Sequence, residues 1–383
     1  MDNLTHSLVG LAAAKAGLEK LSPGATGLCL LAANAPDADV VVLLFADRWD
    51  FLQHHRGITH AIVGTLGIAI LLPVLFYAGD LLLSKLRGRP KQVNFTGLLV
   101  ASLLVSATHP LLDWTNNYGI RFLLPWDPKW FYGDLVFIVD PFIWLALGSA
   151  CFLMTSRVKV QWVVWLIVGI ALSLLIVGSA RGGNLPNPWL VRSIWLVALV
   201  GLVVMRVRKS GGYANPRLAL SALALVVAYW CCLGVAHTTA LSRAREEAAS
   251  LTEPGEYISR LAAMPTLANP FAWDCVFETN RATYRFKLRL GSPNPVAKTI
   301  RYEKPSGLLA GALNKISSDR RTQVFLGFAR FPVARLSSED CTTQTLVQLA
   351  DLRYTEPGTQ RGSFTLDLPV ECPLENAQTD ERE

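Results

Sequence analysis

The chain has 383 residues, is 51% hydrophobic and only 17% charged, and its mean hydropathy is +0.34. That balance excludes a disordered chain and an ordinary soluble enzyme, and points to a membrane protein. The formal charge of +7 would suit nucleic acid, but in a membrane protein Lys and Arg gather in cytoplasmic loops for topological reasons, so lipids rather than nucleic acid are the expected surroundings.

The chain begins Met-Asp-Asn-Leu-Thr-His, without the basic n-region of a cleavable signal peptide. Two short apolar segments follow, Leu4–Ala16 and Gly24–Ala35, separated by Lys20-Leu21-Ser22-Pro23. They read as a helical hairpin that crosses the membrane partly or fully, or re-enters it, with Ser22 as N-cap and Pro23 as first helical residue of the second arm. Six longer apolar runs come next, at 61–84, 95–112, 135–155, 161–178, 190–205 and 218–237. Each is close to the roughly 20 residues that cross a hydrocarbon core.

Basic residues orient these crossings. Lys85, Arg87, Arg89 and Lys91 fill one loop, Arg157 and Lys159 a second, and Arg206, Arg208, Lys209 and Arg217 a third. Alternate loops are basic, so these three are expected on the cytoplasmic side. Loops 113–134 and 179–190, with Arg181 and Arg192 as modest exceptions, then face outward, as does everything after His237. The same alternation brings His6, Asp37, Asp39, His55, His60, His109 and Asp113 to one outer face.

From about residue 245 to 383 the pattern changes to a soluble, β-rich domain, with 1–240 as the membrane domain. Tyr284–Leu290 alternates apolar and polar residues, the period of a half-buried strand, and Trp273–Glu278, Ala297–Tyr302, Gln323–Phe331 and Ser363–Val370 are further strand candidates. Arg243–Glu247 reads as a solvated helical exit, and Asn376–Glu383 as a polar end. Cys29, Cys151, Cys231 and Cys232 fall in apolar runs, as small buried hydrophobes do. Cys275, Cys341 and Cys372 lie in the soluble part, where one disulfide and one thiol would fit an oxidising compartment, without the pairing being readable.

The chemistry is concentrated early: five of the six histidines lie in the first 109 residues. His109 and Asp113 in THPLLD are one helical turn apart and can converge on one point, although Pro110 lies between them. Asp37 and Asp39 flank Ala38, and Gly57 permits a sharp turn between His55 and His60. Mixed His and Asp ligation suits Zn, Mn or Fe, and surplus carboxylates allow one ion or two. Arg56 would sit beside the metal as a fork for phosphate. His54, Asn116, Asp134 and Asp140 are candidates for the ring around the ligands. Asp140 is either an ionisable group at membrane depth, functional by default, or a cap at Pro141. His6 alone reads more readily as a packed or interfacial residue, and Asp37 and Asp39 read also as an ordinary loop, or Asp37 as a helix cap. Trp114, Trp126, Trp130 and Trp144 are mostly assigned to interfacial belts. No Gly-rich phosphate loop, GxSxG or HExxH is present.

MDNLTHSLVG at the start, NAPDAD at 34–39, HRGITH at 55–60, THPLLDWTNNYG at 108–119 and GDLVFIVDP at 133–141 resemble the YdjM family of metal-dependent hydrolases, which are LexA-regulated and associated with the inner membrane. The resemblance covers residues 1–240. It implies metal ligands at His6, Asp37 or Asp39, His55, His60, His109 and Asp113 in a bacterial inner membrane. More distantly, histidine followed four residues later by aspartate is similar to zinc-dependent phospholipase C and single-strand nucleases. Their later histidine-plus-glutamate pair is absent, which favours one or two ions over three.

The expected protein is therefore an all-α polytopic membrane domain, a hairpin plus about six transmembrane helices, followed by a β-rich soluble domain. The expected activity is cleavage of a phosphoester, with a phospholipid as one candidate substrate, by metal-activated water, with Asp37 or Asp39 as general base and Arg56 stabilising charge. Two rivals are a non-enzymatic assembly or stress protein with a structural metal and a partner-binding tail, and a transporter. The transporter reading is the poorer one, because the runs after 141 carry almost no ionisable residues.

Overall fold

A computed structural model of the protein describes residues 1–179, 188–209, 213–338, 343–359 and 364–372. The chain divides into two compact units. One comprises Met1–Asp39, Arg56–Val235 and Pro265–Pro270, and the other Val40–His55, Ala236–Met264 and the chain from Phe271 onward.

The first unit is helical. Asp2 caps α1 (Asn3–Ala16) by accepting the Thr5 N–H, and α2 (Ala25–Asn34) continues into a 3-10 stretch, Ala35–Leu44. Gly10 lets the two arms touch: a Cβ there would lie 2.7 Å from the Cys29 carbonyl oxygen and 2.8 Å from the Ala33 Cβ. Small residues at a helix contact bring backbones close in just this way. A short helix, α3 (Arg48–His54), lies between and belongs to the second unit. The remaining helices of the first unit are α4 (Ile62–Arg87), α5 (Phe95–Trp114), α6 (Pro141–Thr155), α7 (Lys159–Ser179) and α8 (Pro188–Arg208), joined by the first part of α9 (Pro216–Leu251).

Among the described residues five helices are long and apolar enough to cross a membrane: Ala25–Leu44, Ile62–Arg87, Phe95–Trp114, Lys159–Gly178 and Pro216–Leu251. The predicted run 135–155 is helical only from Pro141. Before that point its backbone is tied to the end of α5, with the Gly133 N–H donating to Trp114 O and those of Leu135 and Val136 to Thr115 O. Asp140 then caps α6 through the Phe142 and Ile143 N–H groups and accepts the Tyr229 hydroxyl at 2.9 Å. Its depth is thereby accounted for by capping.

The second unit holds two antiparallel sheets. The first, in order β1-β2-β3-β4, comprises Ile258–Thr266, Asn269–Thr279, Ala282–Arg289 and Val296–Glu303. The second, in order β5-β6-β7, comprises Pro332–Leu336, Gln344–Asp351 and Thr365–Glu371. The alternation read at 284–290 is what this packing needs. Tyr284, Phe286 and Leu288 join Trp273, Cys275 and Phe277 on one face, against Ala240, Ala244 and Ala248 of α9. On the other face Val276, Ala262 and Met264 pack with Phe331, Val333, Ala350 and Leu352.

One strand prediction is overturned. Gln323–Phe331 falls largely in the helix α11 (Arg320–Phe328), which follows α10 (Gly307–Ile316). Thr322, Phe325 and Phe328 are buried at a spacing of three, and Asp319 caps the helix by accepting the Arg321 N–H. Helical periodicity and a cap outweigh the local β propensity there. Cys372 is disulfide-bonded and Cys275 is a buried free thiol. Arg181, Cys341, Ser363 and the polar end 376–383 lie outside the described residues.

Candidate metal centre

Four segments of the first unit meet at one point: the 3-10 stretch after α2 carries Asp37 and Asp39, the turn Ile58–His60 carries His60, and α5 carries His109 and Asp113. α1 adds His6. Pro110 does not spoil the pair on α5, because the helix runs unbroken from Phe95 to Trp114. His109 Nε2 and Asp113 Oδ2 face each other at 3.5 Å across one turn.

The ligand atoms of Asp37, His60, His109 and Asp113 lie within 4.8 Å of one another. Five of the six pairs have closer contacts: Asp37–His60 at 3.2 Å, His60–His109 at 3.1 Å, His60–Asp113 at 3.3 Å, and His109 to each carboxylate at 3.5 Å. Four tetrahedral N and O ligands at about 2.0–2.1 Å from a zinc-sized ion would stand roughly 3.3–3.4 Å apart.

Proton bookkeeping makes the same point. His109 Nδ1 lies 2.6 Å from the Ala33 carbonyl oxygen, which can only accept, so Nδ1 carries the proton and Nε2 presents a lone pair. With the carboxylates ionised, at most one proton, on His60 Nε2, lies among four converging acceptor atoms. Burial pushes the His60 imidazole down to about 4, so the ring is neutral at pH 7. Its Nδ1 stands 3.4 Å from Asp39 Oδ2, an acceptor that favours the tautomer turning Nε2 into the cluster. A divalent cation satisfies this set where hydrogen bonds do not.

The surroundings are built for the same purpose. His6 is fully buried, stacks on His109 with ring centroids 3.8 Å apart, and brings Nε2 to 3.4 Å from Asp113 Oδ1. Neither of its ring nitrogens has a hydrogen-bond partner among the described residues. Asp113 Oδ1 also accepts from Arg56 Nη2 at 3.0 Å and from the Met1 amine. Asp37, at 14% exposure, is the most open of the four.

Several predicted site residues take other places. His55 is corrected: it ends α3, stacks on Phe51 at 4.6 Å, and is not one of the four residues whose ligand atoms meet. His54, the last residue of α3, is exposed. Arg56 is close to the centre, but its guanidinium donates to Asp113, to Asn116 Oδ1 at 3.0 Å and to Gly119 O at 3.0 Å, under the Tyr118 ring. That is a strut for Asp113, and the expected fork open to phosphate is not what the geometry presents. Asp39 accepts the Arg56 N–H at 2.9 Å and faces His60 Nδ1, so it orients a ligand. Asn116 is buried beneath Arg56, and Asp134 is buried at a left-handed φ of 52° on the strand of chain tied to α5. Trp144, read as a belt residue, donates to Thr5 Oγ1 at 3.0 Å and to Asp2, fixing the start of α1 below His6. The Ala33 carbonyl that sets the His109 tautomer is a backbone group, and no side-chain pattern could have disclosed it.

Residues 1–184 match the family described as YdjM inner membrane protein. The uncharacterized protein YfhP of Bacillus subtilis (strain 168) is 29% identical over 156 residues, 38% of this chain and 44% of that one. The chain thus spans less than half the length of that relative. No solved structure matches it. The resemblance read from the motifs is thus matched by a family model over residues 1–184, just under half of the chain.

Proposed function

We propose that the protein is a membrane-embedded, metal-dependent hydrolase that cleaves a phosphoester, with a phospholipid as the substrate class nearest to hand. The observation that supports this reading is the set of four acceptor atoms, Asp37 Oδ1, His60 Nε2, His109 Nε2 and Asp113 Oδ2, sharing at most one proton. Imidazole and carboxylate in equal number suit zinc, with manganese or iron as alternatives, and with Asp113 Oδ1 held by Arg56 and the Met1 amine the cluster suits one ion better than two. A bound divalent ion supplies water acidified to a pKa of about 7 and a Lewis acid for the phosphoryl oxygen.

The residues of the chain do the rest. Asp37 Oδ2 is itself buried and has no hydrogen-bond partner among the described residues, so it is the oxygen left over on a ligand to take the proton of the attacking water. Arg56 holds Asp113, and Asp39 holds His60, so both ligands keep their aim when substrate enters. The alternation of basic loops supports a site at the outer face of the inner membrane.

Metal-stripped protein, reloaded with Zn, Mn or Fe and offered a chromogenic phosphomonoester, a phosphodiester and a short-chain phospholipid, should regain hydrolysis of at least one. Stoichiometric metal with no turnover of any of the three would leave the structural-metal reading in its place. Orientation is tested at Trp126, which is 78% exposed in the loop after α5. A cysteine there should react from outside intact cells, and labelling only after permeabilisation would invert the topology.

A further inference from the structure

The second unit carries a cleft of about 340 Å³ where the first sheet opens beside Tyr354–Thr359. Arg285, Lys287 and Lys298 line it together with Thr355, Thr359 and a single carboxylate, Glu356. We propose that this cleft binds the phosphate group of an anionic ligand, independently of the metal centre.

Three observations carry the proposal. Arg285 and Lys287, two apart on β3, share one side of the strand, so their cations fall together. Between them the register with β4 slips: Arg285 pairs with Ile300 and Lys287 with Ala297, so Lys298 and Thr299 oppose the single residue Phe286. This is a β-bulge, and Lys298 occupies it at a left-handed φ of 54°, a conformation that costs a non-glycine residue free energy. The bulge places a third cation at the cleft that regular pairing would have spaced along the strand.

Two of the three charges are also unpaired among the described residues. Arg285 and Lys298 have no ion-pair or hydrogen-bond partner among the described residues, and Lys287 reaches Asp274 only at 3.9 Å. Glu356 is engaged by the Tyr302 hydroxyl at 3.4 Å. Three other basic residues of this unit are matched: Arg260 and Lys304 share Glu278, and Arg301 meets Glu253 and Glu256. Convergent cations in a polar concavity favour an anion, and a guanidinium beside two ammonium groups favours phosphate, which it can hold through two oxygens. The volume admits a phosphate with the group esterified to it. The source is a free phosphorylated compound or the headgroup of an acidic lipid.

The test uses the full chain in detergent, titrated at fixed ionic strength with inorganic phosphate and with dihexanoylphosphatidylglycerol. Saturable binding of phosphate alone, or of both equally, assigns the free anion; tighter binding of the lipid assigns the headgroup. R285Q with K298Q should weaken the stronger ligand at least tenfold, whereas R289Q, which removes the same single charge as R285Q or K298Q alone at an exposed position on the same strand, should leave it within twofold. Single R285Q and K298Q variants, each expected to lose a few-fold, keep the result readable if the double variant does not fold. No binding of either probe, or equal losses in R289Q and in the cleft variants, overturns the proposal.

Discussion

In the second unit Asp351 and Arg353 are both fully buried and stand 2.7 Å apart. The guanidinium donates onward to the Phe328 carbonyl at 3.0 Å and lies over the rings of Phe328 and Tyr354, while the carboxylate accepts the Arg330 and Arg353 N–H groups. In the first unit Asp37, His60, His109 and Asp113 are as close to one another, but all present acceptors. The first arrangement carries its own counter-charge and is complete. The second has Arg56 and the Met1 amine on Asp113 Oδ1 but no donor for the four converging atoms beyond one imidazole proton, a set that could hold a metal ion. Burial alone therefore does not mark a functional charge in this protein; the sign of what faces it does.

The largest effect should come from breaking the incomplete cluster. His109→Ala with Asp113→Ala removes two of four ligand atoms, and the purified variant should hold only background metal by elemental analysis. The loss should exceed the ~10–100-fold that substitutions around a metal's ligands typically cost. Metal retained at the wild-type level would refute the centre. Next in size is Asp351→Ala, which leaves Arg353 buried without its partner at a cost of about 3–5 kcal/mol. Limited proteolysis should then cut the second unit far faster, with metal content unchanged when the variant is purified intact. Asp39→Asn sits between the two kinds of charge: it leaves all four ligand atoms in place and weakens the acceptor facing His60. A chelator competition should show metal affinity reduced about 10–100-fold.

These residues also show what the sequence could disclose. His109 and Asp113 were legible because helical spacing is rigid, and the apolar runs and the alternation at 284–290 were legible because membrane crossing and sheet packing each impose a period. Asp37 and His60 were legible as residue types that the charge-derived topology gathers on one expected face. The choice of Asp37 over Asp39 and of His60 over His55 was not. It depends on backbone turns, including Arg56 at a φ of 52°, which no side-chain period encodes. Arg56 was found beside the cluster, but its bonds to Asp113, Asn116 and Gly119 were not legible, because residue type says what a guanidinium can hold and only geometry says what it does hold. The helix at 320–328 was missed because its aromatic residues favour strands in isolation, and its cap, Asp319, is a single residue.

A smaller effect concerns pH. Burial opposes ionisation of Glu278, but Lys304 and Arg260 beside it prevail and hold its carboxyl below the usual range. A depressed folded value means the stabilisation is present above the unfolded value of about 4.3 and is lost as pH falls through the folded one. Because Arg260 is 53% exposed, the contribution should stay below about 1 kcal/mol. Glu278→Gln should flatten the acid side of the second unit's stability curve, followed by proteolysis between about pH 5 and 3. An unchanged curve would mean that solvent screens the pair entirely.

The smallest expected effect is the sharpest discriminator. His55 and His60 flank one turn, and the motif HRGITH gives them equal standing as ligands. The structure does not: His60 reaches three of its neighbours within 3.3 Å, while His55 stacks on Phe51 at the end of α3, on a segment that folds with the second unit. His55→Ala should therefore leave metal content within twofold of wild type, and His60→Ala should lose it. Loss of metal in both would mean that His55 is a ligand as well. Loss in His55→Ala alone would place the wrong histidine at the centre and, with it, the assignment of Asp37 over Asp39.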